Sequence, residues 1–415
     1  MTHSEIIRPS RALKGVRYAI RGRLDRRAHE LERQGYEILA LNIGNPGLFG
    51  FRTPETMRLA MIENLGASEA YCSHKGIFPA REAVVMQQQD RGVMDTSAEE
   101  VFIGNGVSEV MDLTLRALLN PGDEVLIPSP DYPLWTASTV LNGGRAVHYP
   151  CEPGRGFMPD PDVVQALVTS KTRAIVIINP NNPTGAVYDR ECLTRLARFA
   201  EEHNLVVLSD EIYDQMVYDD AEFVPMASLC PDALCATFSG LSKVYRACGY
   251  RVGWVAFSGA LERSAELLRA MDLLASLRLC SNVPGQWAVQ TALGGYQSVR
   301  KLCARGGRLY ESRQAVIDAV RASDYLTLVA PRGSMYAFIG VRTRKLPGFD
   351  DESFAMELLE RKHVLVAPGS SFNTDDRCYF RITTLPDRET LAEVFARIDD
   401  LLRHMASRPP VLETA

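Results

Sequence analysis

Four stretches of this chain carry residue types and spacings that could do chemistry. Lys243 follows the small-residue run Ser239-Gly240-Leu241-Ser242, at the end of the apolar stretch "ALCATFSGLS". An amine held at the end of a buried strand has its pKa lowered by desolvation and is freed for Schiff-base chemistry. Eight residues on, Arg251 offers the forked, permanently charged group that suits a phosphate. Asp210 ends the apolar run "LVVLSDE", where a carboxylate is costly unless it is paired. It either caps a following helix, worth about 1 kcal/mol, or faces a cation such as a protonated pyridine nitrogen. The second arrangement would make that ring an electron sink. Upstream, "VFIGNGVSEV" (101–110) reads as a strand, a Gly-rich turn and a helix start. It lacks the third glycine of a GxGxxG fingerprint. Its backbone amides are either those of a plain turn or a phosphate site at a helix N-terminus.

These groups need a scaffold, and the chain predicts one. "EVLIPSP" (124–130), "AIVIINP" (174–180) and "LVVLSDE" (205–211) are short and rich in β-branched residues, and turn residues close them. They read as buried strands. Between the last two, Leu193, Leu196, Ala197 and Ala200 fall at i, i+3, i+4 and i+7, one face of a helix. Strand, helix, strand in that order implies parallel pairing. Sheets of that kind bind ligands beyond the C-terminal ends of their strands. Past those ends lie "NNPTG", "IYD" and Lys243. Helical pattern resumes from about 259 to 323. From about 324 onward, "GSMYAFIG" and "CYFRITTL" read as strands and "ESFAMELLERK" and "ETLAEVFARIDDLLRH" as helices of a smaller α/β lobe. The last residues, "RPPVLETA", read as a frayed tail.

Composition sets bounds. At 415 residues the chain exceeds a single core, so two lobes are expected. A net charge of −5, from 46 Lys plus Arg against 51 Asp plus Glu, gives no reason to expect nucleic acid or an anionic membrane as partner. The first 27 residues are basic but lack an apolar signal-peptide core, which leaves a mitochondrial transit segment as the minor alternative. No stretch approaches the ~20 apolar residues of a membrane helix. Nine scattered cysteines without a CxxC fit a reducing, cytoplasmic compartment and disfavour a zinc site, so no metal is expected.

"NPNNPTG", "SDEIY" and "SGLSKVYRACGYRVGW", in this order and with Lys and Arg eight apart, resemble the signature set of the class I/II aminotransferases. Within that family, "YAIRG", "LNIGNPGLFGF", "RLCSNVPGQWAVQTALGGYQS", "GGRLYE" and "FRITTLP" are similar to the bacterial glutamate–pyruvate (alanine) aminotransferases. The resemblance implies fold type I: an α/β large domain with a mainly parallel seven-stranded sheet flanked by helices. A smaller α/β domain is built from the N-terminal arm and the C-terminal part. The corresponding division is 1–50, 51–300 and 301–415. It implies pyridoxal 5'-phosphate as cofactor, and an amino acid and a 2-oxo acid as partners.

Carried onto matching positions, Lys243 resembles the Schiff-base lysine and proton shuttle. Asp210 resembles the pyridine-nitrogen partner, and Tyr213 and Asn182 the groups bonded to the phenolic oxygen. Tyr132 matches the aromatic that stacks on the ring. Gly106, Val107 and Ser108 with Arg251 match the phosphate cup, with Ser242 a further member. Tyr71 is similar to the tyrosine that reaches a neighbouring subunit's phosphate, which implies a homodimer with shared active sites. Arg381 resembles the arginine that binds the substrate α-carboxylate, with Gly44 its backbone companion. Tyr18 and Arg21, at i and i+3, are candidates for the substrate's side chain, and the implied pair is alanine with 2-oxoglutarate. Two alternatives stand beside transamination: a lyase, decarboxylase or oxidase using the same cofactor, and a non-catalytic domain of the same fold. The polar segment "NTDDRCY" (373–379) is shorter than the aromatic-containing loop of such relatives, which leaves the donor open.

Overall fold

The computed structural model describes residues 8–16 and 22–407. Tyr18, Arg21 and the terminal "RPPVLETA" lie outside the described residues. Seven strands form the main sheet: β1 (Val101–Gly104), β2 (Glu124–Ser129), β3 (Arg145–Pro150), β4 (Thr172–Ile178), β5 (Val206–Asp210), β6 (Leu234–Gly240) and β7 (Gly253–Gly259). Their order across the sheet is β1-β7-β6-β5-β4-β2-β3. β3, β2, β4, β5 and β6 pair in parallel, and β7 runs antiparallel to both of its neighbours. The three strands read from the sequence are β2, β4 and β5.

Alternation along a strand explains the layers. In β4, Ile175 and Ile177 join one core with Leu193, Leu196, Ala197 and Ala200, the face expected of the intervening helix. Ala174, Val176 and Ile178 point the other way and join Val110, Met111, Leu115 and Trp135. Successive side chains of a strand face opposite sides, so a strand covered on both sides must be apolar throughout. The helices that provide this cover include α1 (Phe78–Asp90), α2 (Val107–Leu118), α3 (Leu134–Leu141), α4 (Arg190–Glu202) and α5 (Ala265–Leu277). α4 starts where Asp189 accepts a hydrogen bond from the Cys192 amide at 2.8 Å, a side-chain N-cap.

A second, antiparallel sheet follows: β8 (Leu326–Leu328), β9 (Tyr336–Val341), β10 (Ala367–Pro368) and β11 (Tyr379–Thr383), ordered β10-β11-β9-β8. The helices Asp351–Lys362 and Arg388–Ala406 pack on it around Phe354, Leu358, Phe395 and Leu402. Near the start of the chain, Leu39–Ala40 pairs in parallel with Val364–Leu365, tying the opening segment to the C-terminal part. All nine cysteines are free thiols. Among the described residues, no helix is long and apolar enough to cross a membrane.

The junction of β7 with the start of α2 leaves no room for a side chain. A Cβ on Gly253 would lie 2.3 Å from the Val107 amide nitrogen and 2.7 Å from the Gly106 carbonyl carbon, both backbone atoms. Gly253→Ala is therefore expected to cost about 1–3 kcal/mol through overpacking. In urea unfolding the midpoint should fall with little change in slope; an unchanged midpoint would refute the constraint.

Candidate active site

The candidate polar groups stand where strands end. Asp210 is the last residue of β5, Asn182 lies just past β4, and Lys243 just past β6. The turn after β1 delivers Gly106 and the first residues of α2. Arg381 arrives from β11 of the second sheet, opposite Phe338 of β9. These elements enclose a cavity of about 600 Å³. Of the residues expected at the site, Gly44, Val107, Ser108, Tyr132, Asn182, Asp210, Tyr213, Ser242, Lys243, Arg251 and Arg381 line it. Gly106 precedes Val107 as the N-cap of α2, at φ +85°. Tyr71 does not line it and is 78% exposed.

The cavity's charges are held by specific partners. The Lys243 ammonium donates to the Gly44 carbonyl at 2.7 Å. Asp210 is buried, and it accepts from the indole Nε1 of Trp135 at 3.1 Å and from the Ile212 amide at 3.3 Å. Burial pushes its carboxyl up to about 6, against these two hydrogen bonds. Arg381 is only 2% exposed. Its Nη1 donates to Asn182 Oδ1 at 2.8 Å and its Nη2 donates to the Asn42 carbonyl. Its guanidinium carbon lies 4.1 Å from the Tyr336 ring centroid and 4.6 Å from that of Phe372. Arg251 takes a left-handed backbone conformation, φ +53°, and donates to the carbonyls of Cys248 at 3.0 Å and Asn105 at 3.3 Å.

Two tyrosines complete the wall. The Tyr213 hydroxyl donates to that of Tyr336 at 3.4 Å. Burial raises the Tyr213 pKa well above the ordinary tyrosine value, so this phenol stays protonated. At Tyr336 burial again opposes ionisation, but the charges of Lys243 and Arg381 outweigh it and the pKa falls. The short 373–379 segment is anchored rather than loose. Asn373, in left-handed conformation, donates to Asp131 at 2.8 Å, and Ser129 donates to the Asn373 carbonyl at 2.8 Å. The loop is thereby tied to the residue preceding Tyr132.

Comparison with known proteins decides what this assembly is. The family description "Aminotransferase class I and II" matches residues 36–398. The chain is 45% identical over 394 residues to the glutamate-pyruvate aminotransferase AlaA of Escherichia coli, covering 94% of this chain and 97% of that one. It is 44% identical over 394 residues to an alanine aminotransferase of Mycobacterium tuberculosis, covering 95% and 92%. The chain belongs to the class I and II aminotransferases. A crystal structure of an Escherichia coli aminotransferase superposes with a TM-score of 0.95 at 43% identity, covering 96% of this chain and 99% of that one.

Enzymes of this family depend on pyridoxal phosphate, and the residues of this aminotransferase fit it. The cofactor presents a phosphate, a phenolic oxygen, a basic ring nitrogen and an aldehyde. The cavity presents a helix N-terminus with a guanidinium, two neutral donors, a carboxylate and an amine. The sharpest observation is Asp210: a buried carboxylate whose hydrogen-bond donors are two neutral N–H groups is a good partner for a ring cation.

Trp135 and Tyr336 were not singled out from the sequence. Trp135 stands three residues after Tyr132 in "PDYPLW" and reads as a core aromatic, which in part it is. Its indole N–H needs a partner when buried, and that is the one available signal. Tyr336 belongs to the alternating pattern of β9, which gives a face but not its neighbour.

Asp210 yields a pH test on the cofactor-free protein. Its folded pKa is raised, so its contribution to stability is full below the unfolded value of about 3.9 and is lost as pH rises through about 6. Asp210→Asn removes that loss. The stability of the variant minus that of wild type should increase by about 2–3 kcal/mol between about pH 4 and about pH 8. A difference that stays flat with pH would rule out the buried, uncompensated carboxylate.

Proposed function

We propose that this aminotransferase exchanges the amino group between L-alanine and 2-oxoglutarate, using pyridoxal phosphate held on Lys243. The observation that carries the reading is the convergence of Lys243, Asp210, Arg251 and Arg381 on one cavity. The choice of substrates draws on the relatives named glutamate-pyruvate and alanine aminotransferase. Pyridoxal phosphate, when bound, supplies an aldehyde that condenses with amines and a ring that takes up the electron pair left at the substrate's Cα.

The chain's own residues do the rest. Arg251, the amides of Gly106, Val107 and Ser108, and the Ser242 hydroxyl grip the phosphate. The Tyr132 ring would offer the pyridine an aromatic face. Asp210 holds a proton on the ring nitrogen. Tyr213 donates from its protonated phenol to the phenolic oxygen. Asn182 shares that task, and its orientation follows from chemistry. A guanidinium has no acceptor, so the amide oxygen must face Arg381 and the amide NH₂ is left to donate elsewhere. Arg381 binds the substrate's α-carboxylate, with the Gly44 backbone beside it. Lys243 Nζ would take the proton from Cα and give it up at the former aldehyde carbon, a transfer of the kind that general acid–base catalysis rewards by about 10²–10⁴-fold.

The same reading includes a homodimer, with the opening segment and the part from about 301 forming the smaller domain. Tyr71 is exposed, and so are Leu273, Leu277 and Leu279 at the end of α5. His74 and Arg278 tie the two segments together, His74 to Asp272 at 2.7 Å and Arg278 to the His74 carbonyl at 3.2 Å. A face of this kind suits a two-fold partner that receives Tyr71 at its phosphate site.

Four measurements test this. The pyridoxal form should be converted to the pyridoxamine form by alanine and by glutamate ahead of other amino acids. Arg381→Ala should weaken alanine, pyruvate, glutamate and 2-oxoglutarate alike, since all carry an α-carboxylate. Arg21→Ala should weaken glutamate and 2-oxoglutarate selectively; an equal effect on both pairs, or none, removes Arg21 from the side-chain role. In sedimentation the active enzyme should run as a dimer, and a fully active monomer would exclude the composite site.

A further inference from the structure

A buried ion cluster that the mechanism does not use lies behind the active site. Arg91 follows the last residue of α1. Its Nη1 donates to Glu211 Oε2 at 3.1 Å and its Nη2 to Asp214 Oδ2. The three side chains are 12%, 1% and 3% exposed. Glu211 and Asp214 flank the residues that matter for the cofactor. Residues 210–214 form a single turn, closed by the Asp214 amide donating to the Glu211 carbonyl at 3.1 Å. Asp210 and Tyr213, three apart, face the active-site cavity. Glu211 and Asp214, also three apart, face Arg91. Arg91 and Asp214 also line a second, larger cavity of about 1190 Å³ on the far side of the turn.

The remaining oxygens of both carboxylates are committed. Glu211 Oε1 accepts from the Ser209 hydroxyl and the Met226 amide, each at 3.0 Å, and Asp214 Oδ1 accepts from the Gln215 amide at 2.8 Å. The turn is thus bonded on its rear side at all four carboxylate oxygens. Buried ion pairs add little net stability over apolar side chains of similar size, because desolvation consumes the Coulombic gain. What a forked guanidinium across two carboxylates does provide is a fixed direction. It also offsets one of the two negative charges beside Asp210, whose own charge must remain available for the ring nitrogen.

We propose that Arg91 is a positioning residue for the cofactor: through Glu211 and Asp214 it fixes the turn that aims Asp210 and Tyr213 into the active-site cavity. The inference rests on the reading of that cavity as the pyridoxal phosphate site. Arg91 touches neither cofactor nor substrate.

The test exploits the outer cavity. Arg91→Ala opens a guanidinium-sized space reachable from that side. Pyridoxal phosphate affinity is measured by equilibrium dialysis, and the pH midpoint of the bound cofactor's absorbance by titration. The variant should bind the cofactor about tenfold or more weakly, a coupling of the size expected for contacting residues, with a displaced midpoint. Guanidinium chloride at millimolar levels, far below the molar range that unfolds proteins, should restore both, and equal sodium chloride should not. Should Arg91→Ala fail to fold, Arg91→Lys keeps the charge and loses the fork, and several-fold weaker binding with a displaced midpoint is expected. A folded variant with wild-type affinity and midpoint overturns the proposal, as does equal recovery with sodium chloride. Wild type and Lys243→Ala separate the two failures. A wild-type protein that does not bind the cofactor, or a Lys243→Ala variant that keeps the wild-type cofactor spectrum, refutes the reading of the site itself.

Discussion

A carboxylate buried at the end of a parallel strand is the constraint around which this molecule is organised. Asp210 gives up solvation and receives two neutral hydrogen bonds in return, from Trp135 and the Ile212 amide. Those fix its direction without cancelling its charge, which is why burial dominates and its pKa climbs to about 6. A protonated ring nitrogen relieves that cost. On the proposed reading, the cost of holding Asp210 there is offset when the cofactor binds. Neighbouring strands then fix the remaining geometry: β4 leads to Asn182 on one side of β5, and β6 leads to Lys243 on the other.

The parts of this arrangement that sequence reveals are those in which one residue's type answers to one strand's end. Apolar runs closed by turn residues place β2, β4 and β5, and the spacing of Leu193, Leu196, Ala197 and Ala200 places α4. Asp210, Asn182 and Lys243 follow because ligands gather past the C-terminal edge of such sheets. Trp135 is different. Its role needs α3 to lie behind β5, a contact between residues 75 apart that no local pattern encodes. Arg91 is harder still, since an arginine at a helix end reads as a solvated charge complementing the dipole. Its burial depends on how α1 meets the turn after β5.

The 373–379 segment shows the same limit from the other direction. Its length and polarity are plain in the sequence and leave the amino donor open. In the fold, Asn373 takes a left-handed conformation that asparagine tolerates better than most residues, and its amide reaches Asp131. Asn373 is thus a link between the second sheet and the strand end that leads to Tyr132.

The two guanidiniums at the cavity are held in two different ways. Arg251 is exposed and is oriented by the carbonyls of Cys248 and Asn105. With a helix N-terminus beside it, it suits, on the proposed reading, a phosphate that stays bound throughout turnover. Arg381 is buried between the Tyr336 and Phe372 rings and steered by Asn182 and the Asn42 carbonyl. A carboxylate that meets it there meets it in a drier setting, where the charge-assisted fork is stronger and its direction narrower. On the same reading, that carboxylate must leave after each half-reaction. Ring faces and amides hold the guanidinium in place while it is empty, so release does not strand a bare charge in the core. The same packing that makes Arg381 selective for a planar anion makes its exchange affordable.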